Sequence, residues 1–351
     1  MTALGTIIAA QIAATGPMTL ADYMATCLLH PDHGYYTTRD PIGAAGDFTT
    51  AAEISQMFGE LLGLALAQAW LDQGAPDPFT LAELGPGRGT LMADVLRATR
   101  QVPGFHTAAQ VILVEASPTL RAVQEARLKH HAIRHSTTID ALPDQPLFLL
   151  ANEFFDALPI RQFHFDGQDW RERLVGLRDG ALAFGLSDPI PGSLAGRSFA
   201  DPAPGRVVER CPAAQGHMGA IGRRIRQHGG AALIVDYGGW RSSGDTFQAM
   251  RAHTFVDPLA EPGLADLTAH VDFEALAEYC GLSCVFSDQG GFLTRLGIDA
   301  RAAKLAQSLT GDTLHLHQTA HRRLTHPAEM GSLFKVLGLY PPDATPPPGF
   351  A

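Results

Sequence analysis

Acidic side chains around a glycine-rich turn are the groups in this chain best suited to chemistry. The turn has glycine at alternate positions, Gly85, Gly87 and Gly89, directly after an apolar run that ends at Leu84. Glycine tolerates positive φ and lets a ligand approach the backbone. The helical pattern that follows offers backbone N–H groups without helical partners. A strand, a glycine turn and a helix start in this order predict a nucleotide or nucleoside site.

Two carboxylates indicate which nucleotide is bound. The turn reads GxGxG, and Thr90 occupies the position where the dinucleotide fingerprint GxGxxG requires glycine. Glu83 precedes the first glycine by two residues, and Glu115 ends the next apolar run, where it can accept the ribose hydroxyls of a nucleoside. A carboxylate repels a pyrophosphate but attracts ammonium and sulfonium groups. The pair therefore favours S-adenosylmethionine, and an NAD-dependent oxidoreductase stays open as the weaker alternative. Glu83 could instead be a partner of the N-terminus of the following helix.

A second acidic set follows the apolar strand predicted at 147–151. Asn152 is placed with the cofactor, because polar residues at the carboxyl end of a buried strand face the ligand crevice. Glu153 and Asp156 are three residues apart, so on a helical turn they would share a face. Two carboxylates there could clamp a guanidinium through charge-assisted hydrogen bonds. Asp156 could equally cap the local turn.

His270 is the remaining candidate for proton chemistry. It lies among alternating polar and small residues between Asp266 and Phe273. An imidazole there could orient a carboxylate or help to remove a proton. A structural role for His270 is equally open, and Asp272 could be the N-cap of the next helix.

The elements that must position these groups alternate between strand and helix. Apolar strands are predicted at 79–84, 110–115, 147–151 and 231–236, with helices between them. Strands buried on both faces and separated by helices predict an α/β fold with a doubly wound, mostly parallel sheet. Alternating residues over 160–184, with Asp-Gly turns, predict an antiparallel insertion.

The predicted organisation has three parts. Residues 1–75 form an N-terminal helical extension with a cofactor-covering loop, and residues 76–340 form the main domain. Insertions interrupt that domain at about 160–205 and 298–329, the second of them helical. A proline-rich, flexible tail is expected at 341–351, because exposed termini fray.

Composition and charge exclude several classes of protein. The net charge is −10, which argues against a nucleic-acid scaffold. No apolar run is long enough for membrane insertion, and four cysteines do not make a disulfide framework. The histidines and cysteines show no metal-ligand spacing. Arg39 is the first basic residue, so we expect neither a transit peptide nor a secretory signal, and a cytoplasmic location.

Five motifs together resemble the MidA family of class I, Rossmann-like, S-adenosylmethionine-dependent methyltransferases. They are Gly46-Asp-Phe-Thr-Thr-Ala-Ala-Glu-Ile-Ser55, Glu83-Leu-Gly-Pro-Gly-Arg-Gly89, Asn152-Glu-Phe-Phe-Asp-Ala-Leu-Pro159, Asp266-Leu-Thr-Ala-His-Val-Asp-Phe273 and Met330-Gly-Ser-Leu-Phe-Lys335.

The resemblance adds expectations that the residues alone do not give. Mitochondrial members are complex I assembly factors that methylate arginine, so the resemblance implies a protein substrate such as a complex I core subunit. It also brings Gly46, Asp47 and Phe48 into the cofactor site, and it places Glu153 and His270 like the acidic and histidine loops of arginine methyltransferases. A non-catalytic assembly chaperone stays open as an alternative, and the edge of the antiparallel insertion could pair two copies as a homodimer.

Overall fold

The computed structural model describes residues 2–38, 50–190 and 199–350. Its helices are α1 (Ala3–Thr15), α2 (Leu20–Leu29), α3 (Tyr35–Thr38), α4 (Ala51–Ile54), α5 (Gln56–Asp72), α6 (Thr90–Thr99), α7 (Phe105–Ala108), α8 (Pro118–Arg127), α9 (Pro212–His228), α10 (Phe273–Cys280), α11 (Gln289–Arg295), α12 (Ile298–Ala306), α13 (Gly311–Thr325) and α14 (Met330–Leu333). Its strands are β1 (Met18–Thr19), β2 (Phe79–Leu84), β3 (Ala109–Val114), β4 (Ile133–Ser136), β5 (Leu147–Asn152), β6 (Arg161–Phe165), β7 (Trp170–Arg178), β8 (Ala181–Leu186), β9 (Val207–Arg210), β10 (Gly230–Gly239), β11 (Gln248–Arg251), β12 (Thr254–Val256), β13 (Asp266–Thr268), β14 (Val271–Asp272), β15 (Ser283–Asp288) and β16 (Phe334–Tyr340).

Tertiary contacts divide the described residues into two units. The second unit comprises Thr49–Phe155, Gly216–Trp240 and Val271–Ala351, and the remaining segments form the first. The stretch 1–75, predicted as one extension, is shared between the units, because α5 packs against α6 and β10 of the second. No helix among the described residues has both the length and the apolar character needed to cross a bilayer.

The second unit is built on the predicted doubly wound sheet. The strand order is β15-β16-β10-β5-β2-β3-β4, and the strands from β10 to β4 run parallel. The chain leaves β2 towards β3 and β4, then returns to place β5 on the other side of β2. The order therefore reverses between β2 and β5, and ligands of open α/β sheets bind outside the carboxyl ends of the strands at such a point.

The first unit contains the antiparallel insertion. Strands β6, β7 and β8 pair antiparallel, as predicted, and β1 and β9 complete their sheet. Strands β12, β11 and β13 form a separate antiparallel sheet. Helices α1 and α2 share one core with both sheets, through side chains such as Ile8, Tyr23, Val175 and Leu267.

One predicted helix is divided in two. The sequence pattern predicts a single helix over 53–73, but Ser55 has an extended backbone with φ −160° and ψ 137°. Its Oγ accepts a hydrogen bond from the N–H of Met57 at 3.3 Å. A serine hydroxyl competes for backbone donors in this way and favours a new helix start. The break creates α4 as a separate short segment.

The carboxyl-terminal residues add two strands to the sheet and differ from the predicted tail. Strands β15 and β16 extend the mostly parallel sheet antiparallel beyond β10. The tail is anchored rather than frayed, because the ring of Phe350 packs on Phe292 with 4.9 Å between centroids. Nε of Arg295 also donates to the carbonyl of Gly349 at 2.7 Å.

A buried carboxylate joins three helices of the second unit. Glu60 of α5 is 4% exposed and accepts hydrogen bonds from Arg97 of α6 and from Nε of Arg301 of α12, the latter at 2.7 Å. Burial alone would raise the pKa of Glu60, but the two guanidinium groups outweigh it and hold the pKa below its usual value.

We expect Glu60→Gln to destabilise the protein by about 1–3 kcal/mol at pH 7, because it removes the charge from a buried, hydrogen-bonded ion pair. A lowered folded pKa gives stability that is present above the unfolded pKa and is lost as pH falls through the folded value. The difference between variant and wild type should therefore shrink towards pH 4. Urea unfolding at both pH values measures it, and an equal difference at pH 7 and pH 4 would contradict the assignment.

Candidate functional site

The glycine turn at the end of β2 requires glycine for conformational reasons. Gly85, Gly87 and Gly89 have φ of 58°, 51° and 76°, all in the left-handed region. A Cβ on Gly85 would lie 2.9 Å from Cδ2 of Phe154, so the aromatic ring packs directly on the turn. Gly89 is the N-cap of α6 and has no side chain to satisfy the first N–H groups of that helix. The turn thus exposes backbone donors next to the switch point.

Glu83 is buried beside this turn. It is 3% exposed, and within the described part of the chain its Oε2 is buried and has no hydrogen-bond partner. Burial raises the pKa of Glu83 to about 8, the N–H of Met92 opposes the rise, and the Glu115 carboxylate adds to it. Two mutually repelling, desolvated carboxylates are stabilised by a cationic ligand and disfavour an anionic one. This geometry fits the ammonium and sulfonium groups of S-adenosylmethionine better than the pyrophosphate of NAD.

Glu115 follows β3 and is held in one orientation. Its Oε1 accepts from the N–H of Ser117 at 2.8 Å, and its Oε2 accepts from Nε2 of Gln124 at 3.2 Å. Burial raises the pKa of Glu115, while Ser117 and Gln124 oppose the rise. The carboxylate is therefore preorganised at the end of the strand where a ribose is expected.

Gln124 of α8 is a positioning residue that the sequence pattern does not reveal. The side chain is fully buried, and its Nε2 donates to the carbonyl of Gly87 at 2.7 Å as well as to Glu115. Its Oε1 lies 2.8 Å from Nε2 of His135, which limits rotation of the amide. Gln124 thereby ties the glycine turn to the carboxylate of the next strand.

The acidic set after β5 is held by backbone contacts. Glu153 has φ 51°, an uncommon conformation for a residue with a side chain, and its N–H donates to the carbonyl of Val235 at 2.8 Å. Its Oε1 accepts from the N–H of Ala51 at 2.9 Å and from Nδ2 of Asn152 at 3.0 Å. The carboxylate is thus fixed at the switch point, and it also serves as the cap of α4.

Two further contacts at this edge were missed by the sequence prediction. Glu53 of α4 accepts a hydrogen bond from Oγ1 of Thr90, the first residue of α6, so α4 is attached to the glycine turn as well as to Glu153. The fully buried Asp236 accepts from the N–H of Phe155 at 2.9 Å and supports the chain after β5. Both pairs lie far apart in sequence, and no local pattern indicates them.

The remaining predicted site residues are Asp156, His270 and the Gly46-Asp-Phe48 segment. Residues 153–156 form no helical turn, so the expected shared face of Glu153 and Asp156 is absent, because the left-handed backbone of Glu153 breaks helical geometry. Asp156 and His270 belong to the first unit, where the carbonyl of Asp156 accepts from the N–H of Ala269 at 3.0 Å. The Gly46-Asp-Phe48 segment lies outside the described residues. No group of metal-ligating side chains occurs among the residues that the structure describes.

Gln124→Leu should weaken binding of S-adenosylhomocysteine about tenfold, because the loss of one or two hydrogen bonds worth about 1 kcal/mol each releases both Glu115 and the turn. Calorimetric titration measures the affinity, with Glu125→Gln on the exposed side of α8 as the matched control. Unchanged affinity in Gln124→Leu would show that Glu115 does not depend on this amide.

Glu83→Gln should remove a pH-dependent loss of stability in the cofactor-free protein. A folded pKa near 8 gives stability that is complete below the unfolded pKa and is lost as pH rises through about 8. As pH rises from 5 to 9, the free energy of unfolding of the variant should therefore increase by roughly 3–5 kcal/mol relative to that of the wild type. Denaturant unfolding across that range tests this, and parallel curves for the two proteins would refute it.

Comparison with known proteins identifies the family. A family model described as an S-adenosyl-L-methionine-dependent methyltransferase matches residues 61–287. The chain is 36% identical to the mitochondrial protein arginine methyltransferase NDUFAF7 homolog of Drosophila melanogaster, over 95% of this chain and 83% of that protein. It is also 36% identical to human mitochondrial protein arginine methyltransferase NDUFAF7, over 94% and 82% of the two chains.

A solved structure agrees over nearly the whole chain. The crystal structure of a COG1565 superfamily member from Burkholderia thailandensis, bound to S-adenosyl-homocysteine, superposes with a TM-score of 0.82 at 29% identity. It covers 96% of this chain and 92% of that one. The ligand of that structure agrees with S-adenosylmethionine as the cofactor and argues against the NAD alternative.

The predicted cytoplasmic location is wrong by the same comparison. The relatives from Drosophila melanogaster, Danio rerio and Homo sapiens are mitochondrial proteins. The absence of basic residues before Arg39 was therefore no guide to location. Fold, glycine turn, buried carboxylates and sequence identity agree on one conclusion: the chain belongs to the MidA family of S-adenosylmethionine-dependent methyltransferases.

Proposed function

We propose that this methyltransferase modifies arginine in a protein, with a respiratory complex I core subunit as the substrate. The observation that carries the proposal is the carboxylate of Glu153, which the N–H of Ala51 and Nδ2 of Asn152 hold in one orientation at the switch point of the sheet. The names of the relatives, which are protein arginine methyltransferases, support the same acceptor. A guanidinium needs a carboxylate of defined orientation, and Glu153 has one.

The residues around the turn would hold the cofactor, which supplies an electrophilic methyl group on a sulfonium. Glu83 would accept hydrogen bonds from the ammonium group, and Glu115 would accept them from the ribose hydroxyls. Gly85, Gly87 and Gly89 allow close approach, and Gly46, Asp47 and Phe48 are proposed to belong to the same site through the family resemblance. Ionisation of Glu83 on binding a cation would reverse its raised pKa.

Glu153 would hold the acceptor guanidinium and concentrate electron density on one nitrogen. Transfer forms one N–C bond and breaks one C–S bond, whose electron pair remains on sulfur, and one proton leaves the nitrogen. Asp156 and His270 are proposed to assist. Burial lowers the pKa of His270, which keeps its imidazole in the neutral form, able to accept a proton, at pH 7. Positioning and electrostatic stabilisation supply most of the rate in such a reaction.

Glu153→Gln is expected to retain cofactor binding and to lose methyl transfer by at least about 100-fold. The glutamine keeps a carbonyl oxygen for the N–H of Ala51, so the fold of α4 should persist. Titration with S-adenosylhomocysteine measures binding. Tritiated methyl transfer to proteins from a strain lacking the gene, followed by acid hydrolysis and chromatography of methylarginines, measures activity.

Glu125→Gln, with its exposed carboxylate on α8, serves as the control and should behave as wild type. Wild-type transfer rates in Glu153→Gln would refute the role of the carboxylate. If the label in wild-type reactions appears only on residues other than arginine, arginine is not the acceptor. If no label is transferred at all, the result favours the chaperone alternative.

A further inference from the structure

Asn152 carries a buried oxygen with no hydrogen-bond donor in the described structure. It is the last residue of β5, and its Nδ2 donates to Oε1 of Glu153 at 3.0 Å. Its Oδ1 is buried and accepts no hydrogen bond from any described residue. A buried carbonyl oxygen without a donor is unfavourable, which is a reason to look for a ligand that satisfies it.

The orientation of this amide is determined by its neighbours. Glu153 Oε1 is fixed by the N–H of Ala51 at 2.9 Å as well as by Asn152. A carboxylate attracts the NH₂ end of an amide and repels its carbonyl end, so the alternative flip of Asn152 is unfavourable. The carbonyl oxygen therefore points away from Glu153 in every bound state that keeps this contact.

The position of Asn152 places that oxygen beside the cofactor turn. Strands β5 and β2 are in register with Ala151 opposite Leu84, so Asn152 lies next to Gly85, where the glycine turn begins. The ring of Phe154 packs against the same glycine. The unsatisfied acceptor thus lies at the switch point of the sheet, where ligands of open α/β sheets bind.

We propose that Oδ1 of Asn152 accepts a hydrogen bond from an N–H of the acceptor guanidinium and orients its nitrogen for transfer. This assignment rests on the proposed function, and it moves Asn152 from the predicted cofactor set to the acceptor. A guanidinium has five donors and no acceptor, in one plane. The negative Glu153 and the neutral Asn152, adjacent in sequence, offer two acceptors to two of those donors.

The ammonium group of the cofactor is the other candidate donor to Oδ1 of Asn152. The charge of each acceptor distinguishes which of the two donors it suits. Glu83, on the neighbouring strand, is an ionisable acid whose Oε2 is also buried without a partner in the described structure. A full cation is better stabilised by a carboxylate than by an amide. A neutral oxygen suits the nucleophilic nitrogen, because it fixes direction without adding a second negative charge beside Glu153. The two unsatisfied acceptors are thereby matched to two different ligands.

Asn152→Ala tests the assignment in the full-length protein. We expect kcat/KM for protein methylation to fall about 100-fold, while the dissociation constant of S-adenosylhomocysteine changes less than about threefold. The methylation probe is tritiated S-adenosylmethionine with protein extract from a strain lacking the gene, titrated from limiting to saturating extract. Ser55→Ala is the matched control, because it loosens the boundary between α4 and α5 by removing the hydroxyl that accepts from the N–H of Met57, and it leaves Asn152 in place.

Four outcomes would overturn the assignment. If Asn152→Ala weakens S-adenosylhomocysteine binding as much as it slows transfer, Asn152 belongs to the cofactor site and not to the acceptor site. An equal loss of transfer in Ser55→Ala would make Asn152 a support for α4. Wild-type transfer in Asn152→Ala would remove the role while leaving the proposed function intact. Absence of methylarginine from the wild-type reaction would refute the proposed function, and the assignment with it.

Discussion

Burial of negative charge at the carboxyl ends of adjacent parallel strands is the constraint on which the site depends. Glu83 and Glu115 are 3% and 8% exposed; burial raises the pKa of both, and the Glu115 carboxylate adds to the rise at Glu83. Without a cationic ligand these acids oppose folding, since a buried carboxylate loses its hydration. In the proposed function, a bound sulfonium and ammonium would offset this cost and favour a cationic ligand over an anionic one.

The site is held together by backbone donors and side-chain amides more than by ion pairs. Gln124 joins the turn to Glu115, and Ala51 joins α4 to Glu153. Such contacts fix the direction of a carboxylate without neutralising it, which an arginine partner would do. The guanidinium contacts of the second unit are instead used at Glu60, where three helices meet and charge neutralisation stabilises the packing.

Local sequence patterns predicted the parts of the site that local geometry determines. The limits of β2 and α6 and the positive φ at Gly85 follow from an apolar run, glycine spacing and a helix start. The contact between Glu153 and Ala51 could not be predicted, because its partners are 102 residues apart. Gln124 looks like one polar residue of an amphipathic helix, and only the packing of α8 shows that it is fully buried. The spacing of Glu153 and Asp156 suggested a helical turn, but the observed φ of Glu153 is 51° and its N–H pairs with the carbonyl of Val235, a tertiary contact that local sequence does not reveal.

Methylarginine mapping in living cells tests the central claim most directly. Quantitative mass spectrometry of arginine methylation would compare a strain lacking the gene with its parent and with a strain complemented by the wild-type gene. The account predicts that at least one methylarginine, in a complex I core subunit, disappears on deletion and returns on complementation. An arginine methylation pattern that is the same in all three strains would contradict it.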